Sequence, residues 1–172
     1  TKSYFINNQP FESAYTALSG FRLAVQVEPS GELAELYAMM YSVMSRLRLT
    51  RMADSYAEQA QTIALQLNHL PALAFSLMTI ALFKFGKSGW DEIQDLTDWS
   101  MRVAEELGDK RTLGDGRSTL GYLYLFKGEY AQGVANAIDL YDLGVSNDNL
   151  EYQAWGYFGQ GIHLLRLGQT EE

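Results

Sequence analysis

The chain matches itself at an offset of forty residues without a gap, and no other feature constrains its fold as much. Ala17, Ala57, Thr97 and Ala137 fall in one column, and Gly20, Ala60, Ser100 and Leu140 in a second. Ala24, Ala64, Ala104 and Gly144 make a third, while Val27, Leu67 and Leu107 make a fourth that Asn147 breaks. Small residues at corresponding sites let neighbouring helices approach closely. A unit of this size buries its apolar face only against its neighbours, so the pattern implies a stack of like units.

Within each unit the apolar residues recur at three-and-four spacing, the signature of a helix buried on one face. Residues 1–9 read as the tail of a helix running into a turn at Asn7-Asn8-Gln9-Pro10. The spacing predicts a helix from Phe11 to Val27, ended by Glu28-Pro29-Ser30-Gly31. Further helices are expected over Glu32 to Arg48 and Met52 to Leu67, with a break between them that lacks glycine. The next run from Pro71 to Phe85 and from Trp90 to Leu107, separated by Gly86-Lys87-Ser88-Gly89. The last three run from Leu113 to Phe126, Tyr130 to Val145 and Leu150 to Leu167. Their punctuation is Gly108-Asp109, Lys127-Gly128-Glu129, Asn147-Asp148-Asn149 and Gly168.

The expected fold class is therefore all-α, a right-handed α-solenoid of antiparallel helix pairs with a period of forty residues. One repeat domain would span residues 1–172: a rear half-repeat over 1–30, whole repeats over 31–70, 71–110 and 111–150, and a front half-repeat over 151–172. The chain starts at Thr1, begins and ends in mid-repeat and shows no polar cap, so a fragment of a longer protein is expected.

The arrangement of a small residue in the first helix, an aromatic opening the second and alanines inside it resembles tetratricopeptide repeats. The residues that carry the resemblance are Leu120-Gly121-Tyr122-Leu123-Tyr124 with Gly128-Glu129-Tyr130, and Gly161 with Leu164 and Gly168. The usual unit of that family is about 34 residues, so extra helical turns or longer loops absorb the difference. More narrowly, three stretches look like a long-repeat array. They are Glu105 to Arg111, Gly121 to Tyr130, and Gln153-Ala154-Trp155-Gly156-Tyr157-Phe158-Gly159-Gln160-Gly161. That array lies in the C-terminal part of large bacterial signalling proteins, which join a class III adenylate/guanylate cyclase or kinase domain to a signalling ATPase module. None of the catalytic motifs of such proteins is present in this chain.

Composition narrows the partners. A net charge of −8 and a pI near 4.7 repel phosphate backbones, which argues against nucleic acid. There is no cysteine, so neither a disulfide framework nor a thiolate metal site is available. The strongest apolar run, Pro71 to Phe83, is shorter than the roughly 20 residues of a membrane span. No signal peptide is visible, and a cytoplasmic location is expected. Ala81 to Ser88 fits a relaxed phosphate-loop pattern, but Phe83 and Phe85 fill the loop and no strand precedes it. The same two ends, Ala81 and Ser88, share columns with Gly121 and Gly128, a helix-packing site and a turn. His69 and His163 lack paired ligands at metal spacing, and Asp91, Glu92, Asp95 and Asp98 suit a solvated helix N-terminus. No catalytic residue, cofactor or metal is expected.

In tetratricopeptide superhelices the first helix of each pair lines a concave groove. The resemblance places Phe75, Met78, Leu82 and Phe85 there in one repeat, Asp115, Ser118, Tyr122 and Leu125 in the next, and Trp155, Phe158 and Ile162 in the last. The apolar members form the expected partner-binding groove, suited to a peptide, an amphipathic helix or a neighbouring domain of the same chain. The alternative for these side chains is burial between longer helices. The expected function is a non-catalytic interaction or regulatory scaffold in a larger signalling protein. The rival is a sensor that holds a small hydrophobic ligand or a nucleotide inside the coil.

Overall fold

The computed structural model describes residues 28–85 and 89–168, together with Tyr15 and Ser19, which are helical and exposed. The rest of the expected helix over 11–27, the turn before it and residues 86–88 lie outside the described residues. Seven helices are described: α1 (Gly31–Arg46), α2 (Thr50–Gln66), α3 (Leu70–Lys84), α4 (Trp90–Leu107), α5 (Lys110–Lys127), α6 (Tyr130–Ser146) and α7 (Leu150–Leu167). No strand occurs among the described residues, and no helix there is long and apolar enough to cross a membrane.

The helix ends follow from side chains that replace missing backbone partners. Ser30 Oγ accepts from Leu33 N at 3.3 Å to start α1. The His69 imidazole does the same for α3, with Nδ1 accepting from Ala72 N at 3.2 Å. Asp109 Oδ1 accepts from Arg111 N and Thr112 N, both at 3.1 Å. That cap starts α5 three residues ahead of the expected Leu113. Asn149 Oδ1 caps α7 through Glu151 N and Tyr152 N. Gly31 is not a turn residue, as expected, but the first residue of α1. It is buried, and a Cβ there would strike the His69 ring.

Termination is equally regular. Gly108, Gly128 and Gly168 adopt φ of 66°, 76° and 73°, the left-handed conformation that closes a helix. Arg48, Asn68 and Asp148 take the same role with φ of 60°, 49° and 51°. The break after α1 therefore works without glycine, with Arg48 carrying the strain.

By contact, the chain divides into one unit over Thr1–Phe83 and another over Lys84–Glu172. In the first, α1 packs on α2. Leu33, Tyr37, Ala38 and Ala60 form a core with Tyr56, Ile63 and Phe75 against it. Tyr41 Oη donates to the Ile80 carbonyl at 3.3 Å, tying α1 to α3. In the second unit α4 packs on α5, α5 on α6 and α6 on α7, and α5 also reaches α7. The repeat columns sit in these contacts. Ala57, Ala60 and Ala64 on α2, Thr97, Ser100 and Ala104 on α4, and Ala137, Leu140 and Gly144 on α6 are all buried. The fourth column is not: Leu67 and Leu107 lie exposed at helix ends.

A left-handed conformation costs a residue with a Cβ roughly 1–2 kcal/mol, and the greater unfolded-state freedom of glycine returns part of that. Arg48→Gly is expected to stabilise the chain by about 0.5–1 kcal/mol, and Gly128→Ala to destabilise it by about 1 kcal/mol or more. Urea unfolding followed by circular dichroism checks both.

Candidate binding groove

α5 is small where it meets α6 and α7: a Cβ on Gly114 would strike the Tyr152 ring of α7, and one on Gly121 would lie 3.6 Å from Asn136 Nδ2 of α6. Its backbone is therefore open to polar groups. Ser118 Oγ and Thr119 Oγ1 each donate to the carbonyl four residues back, at 2.9 Å. Tyr152 Oη, from α7, shares its one proton between the Arg111 carbonyl at 3.0 Å and Asp115 Oδ1 at 3.1 Å. Asn136 Nδ2, from α6, donates to the Arg117 carbonyl at 2.8 Å. His163, from α7, hydrogen-bonds to the backbone of Gly121. Its ring lies against Gly133 of α6, and its Nδ1 has no hydrogen-bond partner.

These anchors hold α5, α6 and α7 around a half-open hollow of about 70 Å³. Tyr122 and Leu125 line it from α5, and Trp155, Phe158 and Ile162 from α7. The structure thus brings together five of the nine residues expected in the groove. Tyr122, Trp155 and Phe158 are 56%, 44% and 64% exposed, so their rings are open to a partner. Leu125 and Ile162 are half-buried between them. Phe85 stands elsewhere in the same unit, 6.2 Å from the rings of both Trp90 and Phe126, which stack on each other at 5.7 Å. Phe75, Met78 and Leu82 belong to the first unit: Phe75 packs on its core, Met78 is buried and Leu82 is exposed. Of the polar positions, Ser118 lines the hollow, while Asp115 is engaged by Tyr152.

The floor of the hollow is polar, which the aromatic spacing gave no reason to expect. Asn136 and His163 both line it, at 6% and 1% exposure. Asn136 Oδ1 and His163 Nδ1 are buried without a hydrogen-bond partner. Gly133 is the one sequence signal for this placement, since a Cβ there would strike the His163 ring. Arg117 is the formally charged side chain of the lining, and its Nη1 pairs with Asp139 Oδ2 at 2.8 Å.

Ionisation follows burial. Burial pushes the Asp115 carboxyl above its usual range, and the hydrogen bond from Tyr152 holds back part of that rise. Burial, then the Asp115 charge, pushes the Tyr152 phenol up in turn. Burial lowers the His163 imidazole below its ordinary value of 6.5, against the pull of the Gly121 hydrogen bond, and keeps the ring neutral. Among the described residues no three His, Asp or Glu side chains gather as a metal site. The phosphate-loop candidate is helical over residues 81–84, with its Gly-Lys-Ser outside the described residues.

No protein-family model matches the chain, and comparison with curated proteins finds none similar to it. The groove geometry and the residue patterns are therefore what bear on function.

His163 has a folded-state pKa below its unfolded one, so the unfolded chain binds the extra proton first. The stability it contributes is fully present above about pH 6.5 and is lost as pH falls from there through the folded-state value. Melting curves between pH 7.5 and 5.5 should show a larger loss for the wild type than for His163→Phe. Asp115 and Asp98, both raised by burial, act with the opposite sign and in the acid range above 3.8.

Proposed function

We propose that the chain is a non-catalytic binding module, an α-solenoid segment of tetratricopeptide type, whose groove over α5, α6 and α7 takes a peptide or an amphipathic helix of a protein partner. The observation that supports this most directly is the exposure of Tyr122, Trp155 and Phe158 around one hollow. Exposed aromatic rings held by a packed scaffold are the usual anchors of protein interfaces. Trp155, Phe158 and Ile162 stand three, four and seven residues apart along α7, a spacing that presents one continuous apolar strip to a helix laid against it.

The size of the hollow favours this reading over a sensor for a small hydrophobic ligand or nucleotide. Sites that enclose small molecules run to about 300–1,000 Å³, and about 70 Å³ is available here. A hollow of that size suits one side chain of a larger partner. A cytoplasmic role as a regulatory scaffold in a bacterial signalling protein, beside a cyclase or kinase, is supported by the resemblance of Glu105 to Arg111, Gly121 to Tyr130 and Gln153 to Gly161.

Selection of helix-forming peptides from a displayed library tests the groove. Enriched peptides should carry apolar residues at helical spacing and bind roughly tenfold more weakly to Trp155→Ala or Phe158→Ala, variants whose melting temperature is unchanged. No enrichment, or enriched peptides indifferent to both substitutions, would remove the groove as the binding site.

A further inference from the structure

A second feature lies in the first unit, at the turn from α1 to α2, and is independent of the groove. Arg46-Leu47-Arg48-Leu49-Thr50-Arg51-Met52 is exposed at every position. Three of the chain's 13 Lys and Arg residues thus stand within six positions of a protein whose net charge is −8. Large apolar residues are interleaved with them: Leu47, Leu49 and Met52 are 59%, 45% and 47% exposed. Arg46 lies over the Phe83 ring, 5.5 Å from its centroid. Among the described residues neither Arg48 nor Arg51 forms an ion pair, and Asp54, one turn further along α2, pairs with neither. Arg48 is also a residue that the turn does not call for. Backbone closes it: Leu49 N donates to the Met44 carbonyl at 2.9 Å, and Arg48 N to that of Ser45 at 3.2 Å. Forty and eighty residues after Gly128 and Gly168 are traced back, the same column of the repeat reaches Arg48, with φ of 60° against 76° and 73° for the two glycines. Asn68 and Asp148, the other left-handed residues with a Cβ, are of types that tolerate that conformation. Arg48 bears the strain while its guanidinium does nothing for the turn, and strain of this kind persists where a side chain serves a partner.

We propose that the α1–α2 turn docks an acidic, apolar-rich segment of a partner protein, with its carboxylates on Arg48 and Arg51 and its apolar side chains on Leu47, Leu49 and Met52. Charge and apolar exposure together decide the class of partner. An unpaired guanidinium is completed by a carboxylate or a phosphate. An anionic bilayer or a nucleic acid presents an extended negative surface, which the net charge of −8 repels. A short segment meets only the charges within about 8 Å of it at physiological salt, and those of this turn are the three arginines. A free phosphate would use the arginines and leave the three apolar side chains in water, whereas a peptide covers both.

Peptides selected from a displayed library on the full chain provide the probes. A class in which Asp or Glu alternates with Leu, Phe or Met is expected among them. Fluorescence anisotropy of those peptides should show about three- to fivefold weaker binding to Arg48→Gly and to Arg51→Gln, the contribution of one exposed charge pair. Binding to the wild type should also weaken as salt is raised. Arg48→Gly decides the matter, because it should melt above the wild type while binding less, a combination that loss of fold does not produce. Trp155→Ala should leave this class bound, so the turn and the groove are judged separately. Absence of an acidic class, or an acidic class indifferent to both arginine substitutions, would overturn the proposal. Co-sedimentation with phosphatidylserine vesicles that Leu49→Ser abolishes, and that no acidic peptide competes away, would also overturn it and assign the turn to a lipid surface.

Discussion

The packing of α5, α6 and α7 depends on backbone approaching backbone and ring at glycine. A Cβ on Gly114 or Gly133 would collide with the rings of Tyr152 and His163. A Cβ on Gly156 would stand 2.7 Å from the Tyr141 backbone nitrogen, and one on Gly144 2.6 Å from that of Gln153. Each helical glycine costs about 1 kcal/mol relative to alanine. What offsets that cost is a set of large side chains lying flat on the neighbouring helix with their polar tips on its carbonyls. Tyr152 does this, its ring against Gly114 and its hydroxyl on the Arg111 carbonyl of α5.

α5 is consequently the spine of its unit. Carbonyls at Arg111, Gly114, Asp115 and Arg117 accept side-chain hydrogen bonds beyond those of the helix itself. Its C-terminal end is held differently. Lys127 Nζ lies 3.1 Å from Gln94 Oε1, 3.2 Å from Glu129 and 3.6 Å from Asp91. Such exposed ion pairs contribute little singly, and the stacked Trp90 and Phe126 rings beside them add the apolar contact. With its length fastened to α6 and α7 and its end to α4, α5 presents Tyr122 and Leu125 at a fixed position opposite the strip on α7.

Helix placement was largely legible because its signals are local. Trp90–Leu107 and Leu150–Leu167 begin and end where apolar spacing and glycine put them. The departures also have local causes: Asp109 extends α5 backwards by capping it, and Arg48 accepts a conformation that the sequence pattern assigns to glycine. The groove was legible in part. Tyr122, Leu125, Trp155, Phe158 and Ile162 share a hollow because helical spacing places each on the correct face of its own helix. Phe85 obeys the same spacing yet joins Trp90 and Phe126, since a residue at a helix end is governed by what the following turn brings to it. Asn136 and His163 gave no comparable signal. A lone polar residue in an apolar pattern reads as a satisfied core group until the partners of each of its atoms are known.

The sequence by itself determined that this chain is helical, where most helices start and stop, and which small residues lie at their contacts. Those properties come from periodicity, capping and steric size, all of which act within one helix or at one point of contact. The tertiary structure decided which apolar residues stay exposed, that Tyr122, Trp155 and Phe158 among them rim one hollow, and that Asn136 Oδ1 and His163 Nδ1 are buried without a hydrogen-bond partner. Exposure and hydrogen-bond satisfaction depend on what neighbouring helices leave uncovered, and that is set only when α5, α6 and α7 are packed together.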